Sequence, residues 1–175
     1  MKKLLFFYSL FLILNPMLSY GQYTAIPDEN FQSFLVNNYG IEIYYINGVS
    51  SVLNTDINDI SSMNLSSYGI SSLEGIGGFY ALEVLTVNNN YLNSIDVSQN
   101  IFLYQLQCSD NNLTEINVTG NTFLEYLDFN NNNMAGIDVS NNPFLRVLNG
   151  ENNSLTELNL SQNSNLEYLI INNNN

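Results

Sequence analysis

Histidine is absent from this 175-residue chain. With it go the usual general base, the usual zinc ligand and the usual charge switch near neutral pH. Cysteine occurs once, at Cys108, so no intramolecular disulfide can form and a cysteine-based metal site is excluded. Basic residues number three, and two of them, Lys2 and Lys3, lie at the extreme N-terminus, leaving Arg146 alone against 16 carboxylates. A surface of that sign repels phosphate backbones, which excludes nucleic acid as a partner and disfavours anionic membranes. The one apolar run of any length, Leu4 to Leu14, is too short to span a hydrocarbon core about 30 Å thick.

What the chain does contain is a period. From Leu92 to Asn175 it repeats every 21 residues without an insertion. Leu92, Leu113, Met134 and Leu155 open four copies, followed in register by Ile95, Ile116, Ile137 and Leu158, then Val97, Val118, Val139 and Leu160, then Asn100, Asn121, Asn142 and Asn163. The second half of each copy keeps step: Leu103, Leu124, Leu145 and Leu166; Leu106, Leu127, Leu148 and Leu169; Cys108, Phe129, Gly150 and Ile171; Asn111, Asn132, Asn153 and Asn174. A period in this range signifies stacked supersecondary units, one per coil of a solenoid. A single coil buries too little apolar surface to offset the entropy of ordering its own backbone, so stability has to come from stacking.

The half-repeat from Leu103 reads L-x-x-L-x-C-x-x-N-x-L, and the half from Leu92 reads L-x-x-I-D-V-x-x-N-x-x-L. This nesting resembles the 21-residue class of secreted bacterial leucine-rich-repeat proteins, the internalin-like class, over about two thirds of the chain. The resemblance implies a leucine-rich-repeat solenoid, mostly β, with parallel strands stacked coil on coil and a short α-helical N-terminal cap. It also implies that the exposed face of the strands meets a partner. Within the strands, alternation sends Leu106 and Cys108 inward and Gln105, Gln107 and Ser109 outward. Cys108 therefore reads as a core residue and not as a reactive thiol. Asparagine amides serve the backbone groups left unpaired at each turn, and asparagine tolerates left-handed backbone angles.

Taken in order, residues 1–21 read as a secretory signal peptide: Lys2-Lys3, the apolar run, then Ser19-Tyr20-Gly21 before a cleavage site at Gln22. Residues 22–59 read as an N-terminal cap, with an amphipathic helix opened by Asp28, carrying Phe31, Phe34 and Leu35 inward and closed at Gly40. Its Ile-Pro-Asp-Glu-Asn-Phe opening also resembles the cap of the secreted bacterial proteins. Asn47-Gly48 makes a turn before a short strand over Val49 to Leu53. Residues 60–175 carry the repeats, about six coils, starting imperfectly at Ile60 with Tyr68 where asparagine is expected. Gly75-Ile76-Gly77-Gly78 reads as a bent connection, since neither a lysine nor a strand-to-helix setting accompanies it to make a phosphate loop. The sequence stops in mid-phrase at Asn172-Asn173-Asn174-Asn175, which reads as a truncated reading frame with further coils beyond.

Stacking turns columns into surface stripes. The candidate ligand-binding face comprises Gln105, Gln107, Tyr126, Asp128, Asn149, Glu151 and Tyr168. Tyr126 and Tyr168 fall two coils apart, roughly 10 Å by strand spacing, a separation suited to gripping a peptide or stacking on sugar rings; a plain solvated face with scattered aromatics is the competing reading. On the opposite strand, Asp96, Asn117, Asp138 and Asn159 present oxygens that calcium would accept, but the carboxylates alternate with amides and stand too far apart to share one ion. No metal or cofactor is expected. Asp128 and Glu151 could be posed as acid and base, but an open sheet offers no pocket to shift either, so no catalytic residue is assigned. The expected protein is secreted or displayed on a bacterial cell surface, is not inserted in the membrane after signal cleavage, and binds an extracellular protein or glycan without catalysis. The rival expectation is a passive spacer within a larger surface adhesin.

Overall fold

Each coil returns the chain to a position one strand-width from where it began. The computed structural model describes residues 22–175; the expected signal peptide lies outside them. The cap comes first: β1 (Tyr23–Ala25), α1 (Glu29–Tyr39), β2 (Tyr44–Ile46), β3 (Val49–Leu53) and a single turn of helix, α2 (Asn54–Ile57). Asp28 caps α1 as the sequence demands, its Oδ1 accepting from Asn30 N and Phe31 N at 3.0 Å each. Gly40, at φ 67°, closes the helix in the left-handed region that L side chains avoid. β2 and β3 form a hairpin across Asn47-Gly48, and β1 pairs antiparallel with β3.

The coils then supply a six-stranded parallel sheet, β4 (Ser62–Asn64), β5 (Val84–Thr86), β7 (Gln105–Gln107), β9 (Tyr126–Asp128), β10 (Val147–Asn149) and β11 (Tyr168–Ile170), neighbours in that order. Their register is unbroken: Met63 opposes Leu85, which opposes Leu106, then Leu127, Leu148 and Leu169. Among the described residues, the half-repeat that opens at Leu92 forms a ladder in two coils, β6 (Ser94–Asp96) with β8 (Glu115–Asn117). The chain is thus a leucine-rich-repeat solenoid with an α-helical cap.

The core is one continuous file. Leu103, Leu124 and Leu145 are fully buried, as are Leu106, Leu127 and Leu148 beside them. Cys108 is fully buried, and burial pushes its thiol well above its ordinary value, so it behaves as a small core residue. Its column alternates in size. A Cβ at Gly150 would run into the Phe129 ring, so the ring of one coil occupies the space that the next leaves empty.

Two asparagine ladders bind the coils, and they differ in kind. In the first, each Nδ2 donates to carbonyls of its own and the preceding coil while Oδ1 accepts a backbone amide: Asn132 donates to Phe129 O (2.9 Å) and Cys108 O (3.0 Å) and accepts from Leu113 N (2.9 Å). In the second, Asn121 donates to Val97 O (2.9 Å) and Asn100 O (2.8 Å), but the buried Oδ1 atoms of Asn100, Asn121, Asn142 and Asn163 have no partner. A further column, Asn89, Asp110, Asn131, Asn152 and Asn173, holds the left-handed turn residue at φ 53–56°. Its exposed side chains bond from coil to coil, Asn131 Nδ2 to Asp110 Oδ1 at 2.9 Å and Asn152 Nδ2 to Asn131 Oδ1 at 2.7 Å.

The first coil departs from the repeat because it packs on the cap. Tyr68, in place of asparagine, meets Phe34 edge-on at 5.0 Å, and Phe31 stacks on Phe79 at 5.8 Å. Asp28 Oδ2 accepts from Ser71 N (2.8 Å), Ser71 Oγ (2.9 Å) and Ser72 N (3.1 Å), so one carboxylate both starts α1 and clasps the first coil. The glycine-rich stretch is the bent connection expected: a Cβ at Gly75 would collide with Ala25 O, and one at Gly78 with Thr24, so the glycines let the cap approach.

Candidate functional site

The outward side chains of the six-stranded sheet fall into stripes because the strands pair without a register shift. The first stripe is Ser62, Val84, Gln105, Tyr126, Val147 and Tyr168; the second is Asn64, Thr86, Gln107, Asp128, Asn149 and Ile170. All seven candidate residues lie on this face or at its C-terminal rim. Gln105 stands beside Tyr126, and Gln107 beside Asp128 and Asn149 in succession. Tyr126 and Tyr168 are separated by the single residue Val147, hence about two strand spacings or 10 Å. Six of the seven are half-buried, and Tyr168, on the last strand, is exposed.

Their polar atoms are partly engaged already. Gln105 Nε2 donates to Gln107 Oε1 (3.3 Å), which also accepts from Thr86 Oγ1 (3.2 Å). Asp128 Oδ1 accepts from Asn130 N (3.1 Å) and Nδ2 (2.7 Å), closing the turn at the strand end, and Asn149 Oδ1 accepts from Glu151 N at 3.3 Å. Asp128 and Asn149 therefore hold their own turns and the two glutamines hold each other, leaving Tyr126, Tyr168 and Glu151 as the outward groups not tied by a side-chain hydrogen bond. Ser109 corrects the expectation of a third outward position: it is buried, because past the strand end the chain turns and Ser109 N donates to Asn88 Oδ1 at 2.9 Å.

The Asp96 column, set aside as a calcium site on spacing, serves turns as well. Asp96, Asn117, Asp138 and Asn159 each accept from the backbone amide two residues on, at Ser98, Thr119, Ser140 and Ser161 respectively. The Ser140 hydroxyl and amide together hold the Asp138 carboxyl below its ordinary value. Among the described residues no group of three or more histidine, cysteine, aspartate or glutamate side chains gathers to hold a metal.

One feature of the surface escaped the sequence reading. In the turn before each sheet strand, the residue preceding the Leu103 column is Phe102, Phe123 and Phe144 in three successive coils, each about half exposed. The rings of Phe123 and Phe144 are nearly parallel, 8° apart, with centroids separated by 6.4 Å. The column was present in the text as Ala81, Phe102, Phe123, Phe144 and Asn165; it was obscured by the invariant leucine beside it. Beyond that leucine runs a charged column, Glu83, Tyr104, Glu125, Arg146 and Glu167, in which Arg146 forks onto Glu167 (3.0 and 3.1 Å) and lies 3.8 Å from Glu125.

No protein-family model matches the sequence, and no curated protein matches it either. Solved structures do. An internalin, InlF, from Listeria monocytogenes aligns with 86% of this chain at 24% identity and a TM-score of 0.70, covering 44% of the internalin. A leucine-rich-repeat protein of Leptospira interrogans aligns with 68% of the chain at 24% identity and a TM-score of 0.65, covering 33% of that protein. The ectodomain of the Arabidopsis thaliana receptor kinase GASSHO1, solved in complex with Casparian strip integrity factor 2, aligns with 69% of the chain at 23% identity and a TM-score of 0.59, covering 16% of its length. The chain spans less than half the length of each of these three. Identities this low establish architecture alone, and the architecture is that of a leucine-rich-repeat solenoid.

Proposed function

We propose that this chain is a secreted, non-enzymatic binding module that recognises an extracellular protein or glycan through the outer face of its six-stranded sheet, in adhesion at a bacterial cell surface. In this reading residues 1–21 direct export, 22–59 form the cap and 60–175 carry the recognition surface. The observation that carries the proposal is the open, in-register face on which Tyr126 and Tyr168 stand two strands apart, flanked by Gln105, Gln107 and Glu151. Tyrosine supplies a large amphipathic contact at low entropic cost, and strands hold it more rigidly than loops do. That the related plant ectodomain was solved with a factor bound is consistent with such a role for the fold.

A passive spacer within a larger adhesin is the second reading. It draws support from Asp128 and Asn149, whose side chains are occupied by their own turns. The double substitution Tyr126→Ala, Tyr168→Ala separates the two. Binding through the face predicts that adhesion to host or extracellular-matrix material is lost while the melting temperature is unchanged; unaltered adhesion with an intact fold would establish the spacer.

A further inference from the structure

The aromatic column on the rim is a second surface, distinct from the sheet face. Phe102, Phe123 and Phe144, with Tyr104, Glu83 and Glu125, line a shallow groove that runs across successive coils. Aromatic side chains left half exposed in a row form a contiguous apolar patch, the kind that marks an interaction site, whereas scattered exposed residues do not. Nothing in the folding of the coils calls for phenylalanine there: the equivalent turn positions in the coils on either side of these three are Ala81 and Asn165.

Charge and spacing select the occupant. Apart from Lys2 and Lys3, Arg146 is the chain's sole cation against 16 carboxylates, and it is already committed to Glu167 and Glu125. Among the described residues Glu83 therefore borders the groove with no cationic side chain to meet it. A second copy of so acidic a chain is repelled, as is any polyanion. An extended peptide advances about 6.6 Å every two residues. That step matches the 6.4 Å between the Phe123 and Phe144 centroids, so alternate side chains of a bound strand would meet these two rings.

We propose that this rim binds an extended cationic peptide segment in which lysine or arginine alternates with apolar residues, the apolar side chains lying on the phenylalanine column and the cations reaching Glu83 and Glu125 or the ring faces. The probe is a fluorescein-labelled octapeptide alternating Lys and Leu, titrated with the folded chain in anisotropy at 20 and 300 mM salt. Saturable binding is expected, weakened at high salt. Phe123→Ser with Phe144→Ser should weaken it at least tenfold, and Glu83→Gln with Glu125→Gln should remove most of its salt dependence. Tyr126→Ala with Tyr168→Ala should leave it unchanged, which keeps this surface separable from the sheet face. Because all four rim positions are exposed, melting temperatures within about 3 °C of the parent are expected and certify the variants. Binding that survives both rim variants, or equal binding of a Glu-Leu octapeptide, would overturn the proposal, as would binding of a neutral hexose oligomer in place of the cationic peptide.

Discussion

The two asparagine ladders occupy equivalent places in the two half-repeats, yet they should not be equally costly to remove. Replacing Asn132 by alanine deletes donors to Cys108 O and Phe129 O, but each carbonyl keeps a neighbouring rung, Asn111 Nδ2 for the first and Asn153 Nδ2 for the second. What the substitution strands is the Leu113 amide, whose partner in the ladder is Asn132 Oδ1. Leu113 is fully buried, and an orphaned buried amide costs about 1–3 kcal/mol beyond the lost bonds. Replacing Asn121 also deletes two donated bonds, to Val97 O and Asn100 O, but these carbonyls retain Asn100 N and Leu103 N. It strands no amide, and it removes a buried Oδ1 that had no partner. Both substitutions remove the same side-chain atoms. Asn132→Ala should therefore destabilise more than Asn121→Ala by roughly 2 kcal/mol. At this chain length that is a difference of about 4–8 °C in melting temperature. Differential scanning calorimetry of the two variants against the parent measures it; equal losses, or a larger loss at Asn121, would refute the reasoning.

Two further outcomes follow from the same geometry. Asp28→Ala removes both the helix cap and the clasp on Ser71 and Ser72, and should cost about 2–4 kcal/mol in urea denaturation at pH 7. Burial alone would raise the Asp28 pKa, but the donors from Ser71, Phe31 and Ser72 outweigh it and the value is lowered. The stability it contributes is thus present above the unfolded carboxylate value and lost as pH falls through the lower folded value, so the gap between parent and variant should close in the acid range. For the Asp96, Asn117, Asp138 and Asn159 column, melting with and without chelator should coincide, because each oxygen is engaged by its own turn; a chelator-dependent drop of several degrees would assign calcium there.

Much of this was legible from residue spacing alone. The 21-residue columns gave the register of five of the six sheet strands, and a 22-residue step from Ile60 to Leu82 that of the first; Asp28 and Gly40 gave both ends of α1, and Asn47-Gly48 gave the hairpin, because each rests on local backbone chemistry or on periodicity. Contacts without a period were not legible. The clasp from Asp28 to Ser71 joins residues 43 apart, and the Phe31–Phe79 stack joins cap to coil where the repeat is imperfect. Ser109 escaped because alternation ends where the strand does, and the ladders' difference escaped because a column of identical letters does not say which atom of the amide is left over. The phenylalanine column lies outside the strands, where the alternation that separates inward from outward positions does not apply, so its period alone does not place it on the surface.

Every proposed surface depends on residues 21 apart lying side by side, and oxidative cross-linking tests that directly. Thr86 and Gln107 are Cα partners on adjacent strands, within the span a disulfide needs, whereas Thr86 and Gln105 lie on a diagonal of about 8 Å that exceeds it. The pair Thr86→Cys, Gln107→Cys should oxidise to a closed disulfide, read by mass spectrometry, while Thr86→Cys, Gln105→Cys stays reduced and Cys108, fully buried, joins neither. Closure of the diagonal pair in preference to the in-register pair would contradict the stacking and every stripe built on it.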